Sequence, residues 1–360
     1  MSSSAANSSH NQQEHLPFMR RCLELAKLGQ GTTDPNPMVG CVIVYKNAII
    51  GEGWHQRAGE PHAEVNAVAS VKDKNLLQEA TAYVSLEPCS HHGRTPPCSD
   101  LLIKHKVARV VIGSTDPNPQ VAGRGIAKLK AAGVEVISGV LEKEAQFLNR
   151  RFFTFHSKKR SYVLLKWAQS SDGFLAPKSK NTQAPVWISN TLSRQRTHRW
   201  RSEESAILIG VNTALADNPS LTTRDWPGKS PVRVVLDPKG KLDPTLKLLD
   251  GSTQTLVITT KDNSKEFPNV SCIKVQELSF EIDHLLAILY DHGLQSVLIE
   301  GGADTLNRFI QSGIWDEARV FTGAVNLGDG IAAPELKLEP TAVEKIDQDQ
   351  LHTYLNPAQL

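Results

Sequence analysis

No stretch of this 360-residue chain approaches the ~18–20 consecutive apolar residues that a membrane-spanning helix needs, so a protein that does not span the bilayer is expected. Met1 to about His15 lacks the apolar core of a secretory signal. It is rich in Ser, Asn and Gln, and residues 1–15 read as a disordered tail. Neither sign of charge is in excess: 40 Lys and Arg stand against 38 Asp and Glu, a net charge of +2. That leaves no basic tail for nucleic acid and no acidic arm, while small charged metabolites stay open. Cysteine is scarce, and an odd count of five (Cys22, Cys41, Cys89, Cys98, Cys272) does not build a disulfide framework. The expectation is a soluble cytoplasmic protein. No long repeat is present, and the second half has no G-x-G-x-x-G fingerprint.

What is there is globular, with 40% hydrophobic and 22% charged residues. At roughly 100–200 residues per domain, the length predicts two domains. Helical spacing marks Pro17–Gly29, His62–Val71, Gly125–Ala132 and Glu142–Phe155, with a further helix inside Pro88–Lys106. Val39–Val44 and Ala48–Gly53 read as a hairpin, and Thr81–Leu86, Ala108–Gly113 and Val134–Ile137 as strands. This alternation predicts an α/β layered domain. The polar run His156–Arg160 is the expected linker, giving domains over 16–156 and 157–360. A second α/β unit follows. Its strands are expected at Tyr162–Trp167, Ser205–Gly210, Val232–Leu236, Thr255–Thr259 and Ser296–Glu300, and its helices at Thr191–Arg201, Asp283–His292 and Asp304–Gln311. Thr-Asp-Pro-Asn-Pro occurs at both 33–37 and 115–119, which a shared turn preference explains.

The chemistry concentrates in the first half. His62-Ala63-Glu64 opens a predicted helix, and Pro88-Cys89 and Cys98 lie downstream. One imidazole and two thiolates are a three-ligand set for tetrahedral Zn²⁺, with the fourth position left to water. Zinc lowers the pKa of bound water from ~15.7 to ~7. Glu64 can reach that water without ligating the metal, which makes it the candidate general acid–base. H-x-E followed by P-C-x-x-C is the zinc-deaminase signature. Here its second half is stretched, with eight residues between the two cysteines. A structural zinc site is the rival. It would recruit His91 or His92 as a fourth ligand and leave Glu64 without a role.

The segment Glu87-Pro88-Cys89-Ser90-His91-His92-Gly93-Arg94-Thr95-Pro96-Pro97-Cys98 closely resembles the bifunctional riboflavin-biosynthesis deaminase/reductase family, in which the longer spacing is the norm. Pro35-Asn36-Pro37-Met38-Val39-Gly40, Gly51-Glu52-Gly53-Trp54-His55 and Asp116-Pro117-Asn118-Pro119 match the same pattern, and the resemblance runs from about Leu16 onward. It implies a cytidine-deaminase-like three-layer fold and a pyrimidine substrate carrying a ribosylamino phosphate. It places Asn36, His55, Asp116 and Asn118 around that substrate, as donors or acceptors, and sets Arg94 and His91 toward the phosphate. Without the family, Asp116 reads as ordinary turn chemistry.

The second half alone says only α/β, with Glu300-Gly301-Gly302 between a strand and a helix as a candidate phosphate turn. Lys166-Trp167-Ala168-Gln169-Ser170-Ser171-Asp172-Gly173 resembles the opening of the family's reductase domain, which has a dihydrofolate-reductase-like fold. Ser171 stands where Leu is more usual. Asn212 to Arg224 resembles the domain's central motif. The match implies that Trp187, Arg201, Thr213, Asp217, Leu221, Arg224 and Glu300 meet the ribose phosphate or pyrimidine. It implies further that Lys166, Ala168, Ser170, Thr213, Gly301 and Gly302 meet NADPH, and that the chain forms a dimer or tetramer. Beyond about Val325 the match fades. The alternatives are a nucleoside or tRNA deaminase with an accessory domain, which predicts a basic surface and the short Cys-x-x-Cys spacing, and a zinc-stabilised binding module, which predicts four protein ligands.

Overall fold

The computed structural model describes residues 13–92, 96–119, 121–179, 186–262, 267–276 and 281–359. The chain divides into two compact units, Met1–Lys159 and Arg160–Leu360.

The first unit is a five-stranded sheet in the order β2-β1-β3-β4-β5: β1 Gly40–Tyr45, β2 Ala48–Trp54, β3 Thr81–Leu86, β4 Arg109–Ser114 and β5 Glu135–Ser138. β1 pairs antiparallel with β2 and β3, while β3, β4 and β5 are parallel. In β1, β3 and β4 successive residues are buried, so each of these central strands feeds two cores. Ile43, Val84 and Ile112 pack with Ala67, Leu102 and Leu129 from the helices α2 Ala63–Ser70, α3 Cys98–Lys104 and α4 Arg124–Ala131. Their neighbours Val42, Tyr83 and Val111 pack with Met19, Cys22 and Leu25 of α1 Leu16–Lys27. The result is the three-layer arrangement expected.

Three expectations are corrected. The tail read as 1–15 is too long, because His15 is buried and its Nδ1 lies 2.9 Å from the Tyr83 hydroxyl. The helix expected over Glu142–Phe155 is two, α5 Glu142–Leu148 and α6 Arg150–Lys158. They break at Asn149, whose side chain clamps both backbone groups of Met38 at 2.8 Å. The polar run at 156–160 does hold the change of unit, and Ser157, Lys158 and Lys159 are exposed, but the boundary lies at 159/160 rather than 156/157 and most of the run is a helix end rather than a free linker. α6 continues through Lys158, and the change of unit falls at Arg160, whose guanidinium forms a bidentate pair with Asp316 at 2.7 Å.

The second unit is a nine-stranded sheet, order β11-β10-β9-β8-β12-β6-β13-β16-β15. Its strands are β6 Tyr162–Gln169, β8 Ala206–Gly210, β9 Val232–Leu236, β10 Thr255–Thr259, β11 Val270–Lys274, β12 Ser296–Ile299, β13 Glu317–Thr322, β15 Ala342–Ile346 and β16 Asp349–Leu355; β7 Phe174–Ala176 pairs separately with β14 Ile331–Ala332. From β11 to β13 the strands are parallel, and β16 and β15 close one side antiparallel. Leu165, Leu208, Val234 and Ile299 pack against Leu285, Leu289, Leu306 and Phe309 of α9 Ile282–Asp291 and α10 Ala303–Ser312. Leu164, Ile207, Val235 and Leu298 pack on the other face with Ala214 of α8 Val211–Asp217. α7 Thr191–Glu203 contributes Trp200, stacked on Phe321 with ring centroids 5.4 Å apart. β13, β15, β16 and α8 were not among the expected elements. The stretch after Val325 thus supplies two strands of the main sheet. Among the described residues no helix is long and apolar enough to cross a membrane.

Candidate active sites

In the first unit the chemistry collects where the loops leave the sheet. His62 is the residue preceding α2, in an extended conformation, and Glu64 lies in the first turn of that helix. Cys89 follows the end of β3, and Cys98 begins α3. The His62 Nδ1 stands 3.6 Å from Cys89 Sγ and 3.4 Å from Cys98 Sγ. Among the described residues, these three are the group of His, Cys, Asp or Glu side chains whose ligand atoms converge, all within 4.8 Å of one another. The Cys98 N–H also donates to Cys89 Sγ at 3.3 Å. The Cys98 side chain and then His62 hold the Cys89 thiol down, to about 4, against the effect of burial. Cys98 itself is pushed up by Cys89 and by burial. Soft donors at this spacing, with one thiolate already favoured, fit zinc.

Glu64 is only 3% exposed. Burial, with the charge of Cys89 adding to it, lifts its carboxyl to about 7. Glu64, His62 and Cys89 open onto a cavity of about 510 Å³, which Asn36, His55, His91, Asp116 and Asn118 also line, while Cys98 is buried behind them. Arg94 lies outside the described residues. The two copies of Thr-Asp-Pro-Asn-Pro thus meet on one cavity, one entering β1 and the other leaving β4. His55 lies 3.2 Å from the Pro61 carbonyl through Nδ1 and 3.1 Å from the Asn36 amide nitrogen through Nε2. A carbonyl only accepts and an amide nitrogen only donates, so the ring is the neutral Nδ1–H tautomer. Burial, chiefly, lowers its pKa. The Asn118 N–H donates to Asp116 at 2.7 Å, and burial raises that carboxyl to about 6. Sequence reasoning missed Phe152, which lines the cavity from α6, and Glu87, whose carboxylate faces the loop carrying Asp116. Phe152 carries no signal beyond helical spacing, whereas Glu87 stands inside the cysteine motif itself.

In the second unit the candidates collect at the carboxyl ends of parallel strands, where α/β sheets bind ligands. Lys166, Ala168 and Ser170 lie along or just after β6, Thr213 follows β8 in α8, and Glu300-Gly301-Gly302 follows β12. Arg201 of α7 forks onto Glu300, with Nε and a terminal nitrogen at 2.8 and 2.7 Å, the pair being 11% and 9% exposed. Burial alone would raise the Glu300 carboxyl, but Arg201 and Lys166 bring it down to about 2. Lys166 is itself lowered, mainly by burial. Arg224 is exposed and donates to the Ser220 hydroxyl at 3.0 Å. Its backbone N–H donates to His198 Nδ1 at 3.2 Å. Burial, then the positive charge of Arg201 and Arg224, lowers His198 to about 4, so this unpredicted residue is a neutral anchor for the Arg224 loop.

The remaining candidates are placed variously. Asp217 ends α8. Leu221 is 3% exposed within the core beside Ile207 and Leu298, at a φ of 53°, so any ligand contact there falls to its backbone. Trp187 is 54% exposed under the Arg194 guanidinium. Ser170 donates to Asp172 at 2.6 Å and accepts from the Phe174 N–H within a turn. A Cβ at Gly302, whose φ is 64°, would come within 2.9 Å of the Thr213 hydroxyl. No side chain caps the ten-residue α10 that starts there. That leaves first-turn N–H groups suited to a phosphate, such as a dinucleotide cofactor carries.

The family model for the cytidine and deoxycytidylate deaminase zinc-binding region matches residues 12–114, and the model for the RibD C-terminal domain matches residues 161–352. The chain is 40% identical over 345 residues to riboflavin biosynthesis protein RibD of Aquifex aeolicus, covering 92% of this chain and 96% of that protein. To the Escherichia coli K12 protein of the same name it is 40% identical over 329 residues, covering 86% and 88%. A solved structure from Thermotoga maritima, a diaminohydroxyphosphoribosylaminopyrimidine deaminase/5-amino-6-(5-phosphoribosylamino)uracil reductase, matches at a TM-score of 0.86 and 37% identity, covering 96% of this chain and all of that one. Acinetobacter baumannii RibD matches at 0.84 and 35%, covering 96% and 99%.

Proposed function

The chain belongs to the bifunctional deaminase/reductase family of riboflavin biosynthesis, and we propose that its two sites divide the work between a phosphoribosylaminopyrimidine deamination in the first unit and reduction of the product's ribose in the second. The first unit is a zinc-dependent deaminase and the second an NADPH-dependent reductase. The observation that carries the assignment is the convergence of His62, Cys89 and Cys98, with His62, Cys89 and the buried Glu64 lining one cavity.

Held by His62, Cys89 and Cys98, zinc supplies the Lewis acidity that lets water attack at neutral pH. Glu64 takes a proton from the attacking water. It delivers that proton to a ring nitrogen, then passes the proton of the newly bound hydroxyl to the amino group, which leaves as ammonia as the carbonyl forms, so the step exchanges an amino group for oxygen and releases no other fragment. Asn36, held by His55, and Asn118, held by Asp116, present polar groups to the pyrimidine. His91 and Arg94 are the candidates for its phosphate. The structural-zinc alternative would leave the buried Glu64 without work, and the tRNA-deaminase alternative would leave the second unit's site without work.

In the second unit NADPH supplies the hydride, with the Gly301-Gly302 turn and Thr213 as the candidate seat for its phosphates and Lys166, Ala168 and Ser170 beside it. Arg224 takes the substrate phosphate. Arg201 is already neutralised by Glu300 and orders the site rather than carrying the phosphate alone. Asp217 and Trp187 face the ribose and pyrimidine. A homo-oligomer belongs to the same proposal: the exposed Leu192 and Val343 side chains are what such a contact would cover. A monomer in sedimentation would overturn it. The five free cysteines suit the cytoplasm.

Assays of ammonia release and of NADPH oxidation test the division. A zinc chelator should abolish deamination of the diaminopyrimidine substrate while reduction of the supplied deaminated product continues. Loss of both activities in folded protein would show that they share one site.

Arg224→Ala should raise the reductase KM for the phosphorylated substrate about 10- to 100-fold, the loss of one charge-assisted hydrogen bond. Arg224→Lys should recover part of it, restoring charge without the fork. An unchanged substrate KM would return Arg224 to the status of a surface charge, and weakened NADPH affinity alone would move it to the cofactor.

A further inference from the structure

Glu87 is a buried carboxylate to which the division of work above gives no task. It directly follows β3, lines the cavity and stands two residues before Cys89. Its own N–H donates to the Ser114 carbonyl at the end of β4. Its two oxygens then accept four backbone N–H groups from the chain beyond β4. One takes Asp116 at 3.3 Å and Gly123 at 2.9 Å, and the other takes Gly125 at 2.9 Å and Ile126 at 3.1 Å. A carboxylate offers acceptor sites in four directions, which no neutral side chain of this size does. The packing is built around it. A Cβ at Gly125 would overlap the Pro88 carbonyl and come within 3.2 Å of the Glu87 carboxylate, so glycine is needed there for the helix start to reach this anchor. On the same stretch, Asp116 and Asn118 form the cavity wall.

We propose that Glu87 is a positioning residue for deamination: its carboxylate ties Asp116 and the start of α4 to the end of β3, and so sets where Asn118 meets the pyrimidine relative to Cys89. The inference rests on the deaminase assignment of this cavity.

Glu87→Gln tests it in the full chain. The substitution keeps the size and replaces one acceptor oxygen by an NH₂ that faces two donors. The deaminase KM should rise about 10- to 100-fold, with zinc content and the KM of the reductase unchanged. Asn118→Ala should also raise the deaminase KM. Added to Glu87→Gln it should change little, because the same loop is already displaced. A normal KM, a loss of zinc, or KM effects that multiply in the double variant would each overturn the role. If Glu87→Gln does not fold, Gly125→Ala presses the same segment off Pro88 and off the Glu87 carboxylate while leaving the glutamate itself in place. It must raise the deaminase KM at full zinc content, and a normal KM there overturns the proposal. Asn118→Ala with an unchanged KM would instead remove the substrate role of the loop, which separates failure of the deaminase assignment from failure of the Glu87 inference.

Discussion

Glu64→Gln is expected to hold zinc and lose deamination by more than the ~10²–10⁴-fold that a single general acid–base group contributes. The excess follows from its serving more than one proton transfer in the cycle. The structure sets the conditions. Glu64 is buried at the first turn of α2, next to His62 and on the cavity wall, and stands outside the converging ligand set. Burial raises its carboxyl above the usual carboxylate range, which favours uptake of a proton by a group that must accept and then return one. Gln keeps the volume and a hydrogen-bonding end, so the helix and the ligands need not move. Metal analysis, ammonia release and NADPH-dependent reduction of supplied product on one preparation give the answer. Lost zinc would make Glu64 part of the metal's support, and retained turnover would remove it from the chemistry.

The first site was legible because its chemistry is written in short contiguous pieces. His62 and Glu64 sit two apart at a helix start, and both cysteines lie within one quoted segment. The strands were legible for a related reason: runs such as Tyr83-Val84, Val111-Ile112 and Leu164-Leu165 are apolar on consecutive residues, which only two-sided burial explains. What escaped is long-range or polar. The four amides that Glu87 binds lie 29 to 39 residues downstream. Asn149 reaches Met38 across 111 residues, and that reach splits one expected helix into two. β15 is exposed at Ala342, Val343, Glu344 and Lys345, so it offers no buried alternation to read. α8 hides inside a motif whose resemblance draws attention to ligand contacts rather than to helical spacing.

The second site shows the same boundary in one pair of residues. Arg201 and Glu300 each resemble substrate ligands, yet 99 residues separate them and nothing in either segment announces that they bind each other. Their pairing changes the electrostatics of the pocket. A guanidinium that looked available for a phosphate is already balanced, and the buried charge left over beside it is Lys166. Arg224, held by the neutral His198, is then the arginine still exposed to an incoming dianion.

Glu300→Ala should therefore destabilise the second unit by about 3–5 kcal/mol, the usual result of leaving a buried charge without its partner. For a unit of this size that corresponds to a fall in Tm of roughly 6–20 °C. The low exposure of Arg201 and its further bond to the Thr222 carbonyl at 3.2 Å keep Arg201 in place when the carboxylate is gone. Glu300→Ala/Arg201→Ala should cost less than the sum of the single changes, because removing both charges leaves neither stranded. Acid gives an independent reading through Glu300→Gln. The folded-state value near 2 lies below the ordinary ~4.3 of an unfolded glutamate. Stability from this carboxylate is thus complete above about pH 4.3 and disappears as the pH falls toward 2. Denaturation curves of wild type and Glu300→Gln should converge across that window, while deamination at neutral pH stays at the wild-type rate. A stability gap that is constant from pH 5 to pH 2 would mean that the carboxylate's charge is not what holds Arg201.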